Sequence, residues 1–231
     1  MSHQAPSAAA EPARVFIVDD HPLIREGLAE LIRRDPALAV CGEAGSATEC
    51  LRKVAAARPG LIVVDINLPD RGGLDLIKDL QNLLPDVPVL VYSMCDESLY
   101  AERVLRAGAR GFVMKRESGR RTLEAMHDVL EGRLHMSTEV ADGLVAKSLN
   151  EGKSRASPRR APGLSLLTDR ELEIFRHIGL GRGTREIARL LHRSPKTVEV
   201  HRTNIKRKLG VPETGGLIRM AVQWSEAQDR Q

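Results

Sequence analysis

Five side chains in this sequence carry reactive groups in a suggestive pattern: the carboxylate pair Asp19-Asp20, the lone carboxylate Asp65, the hydroxyl of Ser93 and the ammonium of Lys115. Three carboxylates brought together repel unless a cation neutralises them, and all-oxygen ligation with retained water suits Mg²⁺. A hydroxyl and an ammonium beside them are the donors that hold phosphoryl oxygens. Together they describe a site that could hold a divalent cation and a phosphoryl group side by side. Singly, each reads more plainly as a capping Asp, a turn Ser or a surface Lys. Only a shared position could override those readings.

The elements that carry these residues supply one. Leu61-Ile62-Val63-Val64 is an unbroken, mostly β-branched run of the kind buried on both faces of a parallel sheet, and it ends on Asp65. Pro69 and the turn-forming residues 70–73 mark a loop after it. Further strands are expected at 14–18, 38–43, 87–92 and 111–114. Three of these run into Asp19-Asp20, Ser93 and Lys115. Between the strands, apolar residues recur at helical spacing: Leu23, Ile24, Leu28, Leu31 and Ile32; then 46–57, opened by the capping box Ser46–Glu49; then Leu74 to Leu84; 97–106; and 122–130. Strand and helix alternate five times over about 120 residues, which predicts an α/β fold with a doubly wound five-stranded parallel sheet. In such sheets ligands bind beyond the carboxyl ends of the strands.

The last part of the chain has no strand pattern. Residues 137–148 suggest one more helix, and 149–163 lose periodicity and gather Lys, Arg, Ser, Pro and Gly, as a flexible linker does. Gly152-Lys153-Ser154 within it lacks the glycine and strand of a phosphate-binding loop and is a chance match. A second capping box, Thr168–Glu171, opens a helix; a short one follows, then a turn at 192–194 with Ser194 as N-cap and Pro195 at the first position of the next helix. A final helix covers about 217–224. On a wheel of 100° per residue, Val198, Ile205 and Leu209 fall within about 20° of one another and form the buried stripe. Val200, Thr203 and Arg207 point the opposite way, with Lys196 near them and Glu199 and Lys206 on one flank. That mixture suits thymine methyls, base edges and phosphates in a major groove.

Charge supports the division. Residues 1–137 carry 17 Lys and Arg against 20 Asp and Glu, while residues 164–231 carry 13 against 8, so only the second part is suited to a polyanion. Cys41, Cys50 and Cys95 are odd in number, with no paired spacing, which argues against a disulfide framework or structural zinc. No apolar run is long enough for a membrane span and no signal-peptide pattern opens the chain, so a cytoplasmic protein without membrane association is expected.

Residues 14–132 resemble the receiver domain of a bacterial two-component response regulator. The resemblance rests on Asp19-Asp20, Asp65 with Pro69 and Gly73, Ser93, and Gly111-Phe112-Val113-Met114-Lys115. It implies a flavodoxin-like fold in which Asp65 accepts the phosphoryl group of a sensor histidine kinase. It also implies that Asp20, Asp65 and the Asn67 carbonyl hold Mg²⁺, with Asp19 acting through water. Lys115 and Ser93 would take the phosphoryl oxygens, and Phe112 would reorient. Arg116 departs from the proline that many receivers have there. Residues 165–211 resemble the LuxR-type helix-turn-helix, through Leu167–Glu171, Glu186-Ile187-Ala188, 196–202 and 204–209. It implies a small all-α domain that contacts promoter DNA through Lys196, Thr197, Glu199, Val200, His201, Arg202, Thr203, Lys206 and Arg207. Together they resemble the NarL/FixJ family. The expected organisation is a disordered tail at 1–13, a receiver at 14–136, helix and linker at 137–163 and the DNA-binding domain at 164–231. The implied function is phosphorylation-regulated binding of double-stranded promoter DNA as a homodimer, with RNA polymerase a further partner and no enzyme activity of its own. Two alternatives stand beside it: a receiver controlled by a partner or ligand without phosphorylation, and a haloacid-dehalogenase-like phosphatase. The second needs a D-x-D acid where this chain has Asn67. A linker of about 15 residues spans only some 20 Å, which predicts that the receiver docks on the DNA-binding domain and masks it.

Overall fold

The computed structural model describes residues 11–150 and 163–229; most of the expected tail and nearly all of the expected linker lie outside them. The first domain alternates strand and helix as expected: β1 (Ala13–Val18), α1 (Pro22–Arg33), β2 (Leu38–Ala44), α2 (Ala47–Ala57), β3 (Leu61–Val64), α3 (Gly73–Leu83), β4 (Val89–Ser93), α4 (Glu97–Ala107), β5 (Gly111–Met114) and α5 (Gly119–Leu130). All pairings are parallel and the strand order is β2-β1-β3-β4-β5. The order reverses between β1 and β3, and the crevice there is where an open α/β sheet binds its ligand.

Each strand alternates between two cores. Val15, Ile17, Leu61, Val63, Leu90 and Val113 pack on α1 and α5. Phe16, Val18, Ile62, Val64, Val89 and Val91 face α2, α3 and α4. That alternation is why the β3 run is apolar throughout: neither face meets water. Leu23 is the exception among the expected helix residues. It is 80% exposed, and α1 instead buries Leu28, Ala29 and Ile32.

Two local features escaped the sequence reading. Residue 135 makes a parallel bridge to Gly111 at the β5 edge, with the Phe112 amide donating to the His135 carbonyl at 2.8 Å. Asp70, expected only as a turn former, caps α2 from another loop by accepting from the Ala47 and Thr48 amides at 3.0 and 2.9 Å. The Ser46 hydroxyl caps the same helix through the Glu49 amide, but the Glu49 carboxylate reaches back to the Gly45 amide (2.7 Å), one residue beyond a standard box.

α6 (Thr138–Asn150) follows, held to α4 by the Glu97 carboxylate, which accepts from the Ser137 amide at 2.7 Å. The second domain contains α7 (Asp169–Gly179), α8 (Thr184–Leu190), α9 (Pro195–Leu209) and α10 (Thr214–Asp229). The Thr168–Glu171 capping box is complete. Ser194 and Pro195 open α9 as read, and Gly210 closes it at φ 67°, a conformation that favours glycine. α10 is longer than expected at both ends, with Gly215-Gly216 inside its first turn and its last turn running to Asp229.

Candidate functional site

Three backbone hydrogen bonds set the edge that carries Asp65. The Asp19 amide donates to Ala44, the Asp65 amide to Val18 and the Lys115 amide to Ser93, at 3.1, 2.8 and 2.9 Å. The sheet ladder therefore runs one residue past each strand and fixes these side chains by register. Gly73 brings α3 against the loop: a Cβ there would lie 2.5 Å from Ile66 Cα and 2.6 Å from the Asp65 carbonyl oxygen.

The side chains converge. Lys115 Nζ sits 2.7 Å from Asp65 Oδ2 and 2.5 Å from Asp19 Oδ2. Ser93 Oγ donates to Asp65 Oδ1 at 2.7 Å, and the Asn67 amide donates to the same oxygen at 3.0 Å. Asp19, Asp65 and Ser93 are all buried. Burial by itself would lower the Lys115 pKa; the Asp65 charge and hydrogen bonds to Asp19 and Asp65 outweigh it and hold the ammonium above its usual value. Phe112 is buried behind this edge at 2% exposure.

Asp19, Asp20, His21 and Asp65 each present a ligand atom within 4.8 Å of the others. Asp19 Oδ2 and Asp20 Oδ1 are buried without a properly directed hydrogen bond, although Lys115 and the His21 ring lie close. Carboxylate oxygens left in that condition fit a small hard cation such as Mg²⁺. His21 was missed in the sequence; its adjacency to the acidic pair was the available signal. Cys95 is buried at the same edge, with its Sγ 3.5 Å from Asn67 Oδ1.

On α9 the expected residues divide. Lys196, Val200, Thr203 and Arg207 are exposed, while Thr197, His201 and Lys206 are half-buried. Arg202 does not join them: it is buried at 9% and lies on the packed side with Val198 and Ile205. The wheel places it at 40° from Val198, so the nearer neighbour was the better guide. Glu199 is exposed but accepts a hydrogen bond from the Thr184 hydroxyl (2.5 Å), tying α9 to α8. Lys208 ties α9 to the capping box at 2.5 Å from Glu171.

The two domains are docked. Arg103 on α4 pairs with Asp169 (2.9 Å) and donates to the Leu167 carbonyl (2.7 Å); Lys78 reaches Asp169 at 3.2 Å and Arg170 reaches Asp75 at 3.6 Å. One buried cluster runs from α3 and α4 into Ile174 and Phe175 of α7. Burial pushes the Glu173 carboxyl up, only partly offset by Arg170, and burial among arginines lowers the His177 imidazole to about 3, leaving it a neutral acceptor for Arg182 at 2.7 Å. Docking was expected, but masking of the reading face is not what it does: Val200 remains 54% exposed. The main contacts also invert the overall charge balance, since cations of the acidic domain meet an acid of the basic one.

Comparison with known proteins gives matches to the response regulator receiver domain over residues 15–127 and to the luxR family of bacterial regulatory proteins over residues 165–221. The chain is 35% identical over 198 residues to the DNA-binding transcriptional activator DevR/DosR of Mycobacterium tuberculosis, covering 86% of this chain and 88% of that one. It is 35% identical over 197 residues to the transcriptional regulatory protein UhpA of Escherichia coli, covering 85% and 91%. Among solved structures, RcsB of Salmonella typhimurium superposes with a TM-score of 0.72 over 92% of this chain and 98% of that one, at 22% identity. A LuxR-family response regulator from Aurantimonas gives 0.55 at 33% identity over 60% of this chain and 99% of that one. No helix among the described residues is long and apolar enough to cross a membrane.

Proposed function

The chain belongs to the NarL/FixJ family of two-component response regulators, and from that we propose that Asp65 is the phosphoacceptor through which a sensor histidine kinase controls its binding to promoter DNA. The observation that carries this is the Ser93–Asp65–Lys115 contact set on one sheet edge. In transfer, an oxygen of the Asp65 carboxylate forms a bond to phosphorus as the phosphohistidine N–P bond breaks, and the leaving imidazole takes a proton from solvent. Lys115 and Ser93 hold the phosphoryl oxygens. Asp20, Asp65 and the Asn67 carbonyl would hold Mg²⁺, with Asp19 acting through water, and the bound ion would offset the charge that gathers on the phosphoryl group.

The reading face of α9 supplies DNA contacts through Lys196, Thr197, Val200, His201, Thr203, Lys206 and Arg207. Glu199 and Arg202 support the helix instead. Because this face stays open in the docked state, phosphorylation acts on the orientation and pairing of two chains rather than by uncovering α9. The homodimer is the DNA-binding form, RNA polymerase its partner at a promoter, and the cytoplasm its place of action. Labelling with acetyl phosphate and Mg²⁺ tests the acceptor: Asp65→Asn should remain folded and take no label, and undiminished labelling would remove Asp65 from the role.

A further inference from the structure

Where α7 and α10 approach the acceptor edge they leave a cleft of about 280 Å³. Asp20, Asn67 and Cys95 form its receiver side; Arg176, Arg182 and Trp224 come from the DNA-binding domain. Three buried side-chain atoms among the described residues have no hydrogen-bond partner: Asp19 Oδ2, Asp20 Oδ1 and Arg176 Nε. Two are acidic oxygens at the cation site. The third is a guanidinium nitrogen on the opposite wall of the cleft. The two carboxylate oxygens still lie 2.5 and 2.7 Å from Lys115 Nζ and the His21 ring, which leaves Arg176 Nε as the unpaired donor, and a buried donor left unpaired raises the free energy of the state that contains it. A bound cation would complete the surroundings of the two carboxylates and would still leave the guanidinium wanting an anion.

A phosphoryl group on Asp65 is such an anion. It would grow out of the edge between Asp20, Asn67 and the Ser93-Met94-Cys95 segment, towards the cleft. Arg182 is already engaged with His177 and Glu186. Arg176 is not so engaged, and a guanidinium fork matches phosphoryl geometry. We propose that Arg176 is a phosphoryl-binding residue that the DNA-binding domain supplies to the receiver of the same chain. This rests on Asp65 being the acceptor. Reciprocity then fixes the sign of the coupling: if docking strengthens phosphoryl binding, phosphorylation strengthens docking by the same factor. Phosphorylation would hold the DNA-binding domain in one orientation, with α9 facing outward.

The test uses the full chain, with beryllofluoride and Mg²⁺ as the phosphoryl mimic. Affinity is measured by calorimetry, and Trp224, the only tryptophan of the sequence, reports on the cleft by its emission. Arg176→Ala should bind the mimic about tenfold more weakly than the parent, and Arg176→Lys should recover part of the loss. Arg103→Ala, which removes the docking anchor on α4, should weaken binding similarly. Adding Arg176→Ala to Arg103→Ala should then change nothing further. Equal or tighter binding by Arg176→Ala would overturn the proposal, as would a full further loss in the Arg103→Ala background. Asp65→Asn separates this from the acceptor reading: a parent whose binding equals that of Asp65→Asn would defeat both, whereas a parent that binds well and is matched by Arg176→Ala would defeat the role of Arg176 alone.

Discussion

At the edge that carries Asp65, side chains from four strand tips hold one another in place: Lys115 bridges Asp19 and Asp65, and Ser93 and the Asn67 amide share one Asp65 oxygen. On α9, Val200, Thr203 and Arg207 stand on a single helix and are exposed. The first arrangement is cooperative, because each group is buried and its partner's loss leaves an unpaired charge. The second is expected to be close to additive, because exposed side chains that share no buried partner vary independently. Substitutions should therefore propagate at the edge and stay local on the helix.

Removing the lysine bridge should do the most. Lys115→Ala leaves Asp19 and Asp65 facing each other without a cation, and should destabilise the fold by about 3 kcal/mol in the absence of metal. Mg²⁺ should restore much of that. Urea melts with and without Mg²⁺ measure both, and a loss that ignored Mg²⁺ would break the cooperative description. On the helix, changing Val200 or Thr203 should shift base preference by roughly 1–3 kcal/mol per contact with the fold untouched. Lys196→Ala should weaken binding to all sequences alike and lower the log–log salt slope by about 1. A Val200 variant that kept the parent's preference in a binding-site selection would remove the reading face from its place.

Arg202→Ala marks the boundary between the two kinds of residue. Its side chain packs beside Val198 and Ile205, so its loss should lower thermal stability by about 1 kcal/mol and leave base preference alone. The least change is expected at Asp70. Burial would raise its carboxyl, but hydrogen bonds from Thr48 and Ala47 outweigh that and hold it below the usual range. Asp70→Ala should lose a helix cap of about 1 kcal/mol. Because the folded value is depressed, that contribution is present above the unfolded value of about 4 and lost as pH falls through the folded one. Melts of parent and variant should converge in acid; a difference that persisted there would rule out the carboxylate as the cap.

The receiver was legible because its information is local and repeated. Unbroken β-branched runs are disfavoured in helices, so the Leu61–Val64 strand announces itself. The Ser46, Thr168 and Ser194 caps and the Gly210 stop likewise each carry their own signal within a few residues. The residues around Asp65 were legible for the same reason, since each closes a recognisable strand and parallel register then forces them together. His21, Glu97 and Arg202 were less so. Their roles depend on what packs against them, which no pattern within a few residues of each records.

Side-chain periodicity and capping act over short distances. The chain alone therefore settled the strand–helix alternation, the gathering of Asp19, Asp65, Ser93 and Lys115 on one edge, and the division of α9 into a buried stripe and an opposite polar face, though not that this face stays open when the domains dock. It took the folded molecule to show that Asp70 caps a helix from another loop, that acidic-domain cations meet Asp169, and that α7 brings Arg176 to the Asp65 edge. Those contacts join residues far apart in the chain. Their strength comes from burial and geometry that exist only once two separately folded surfaces have met.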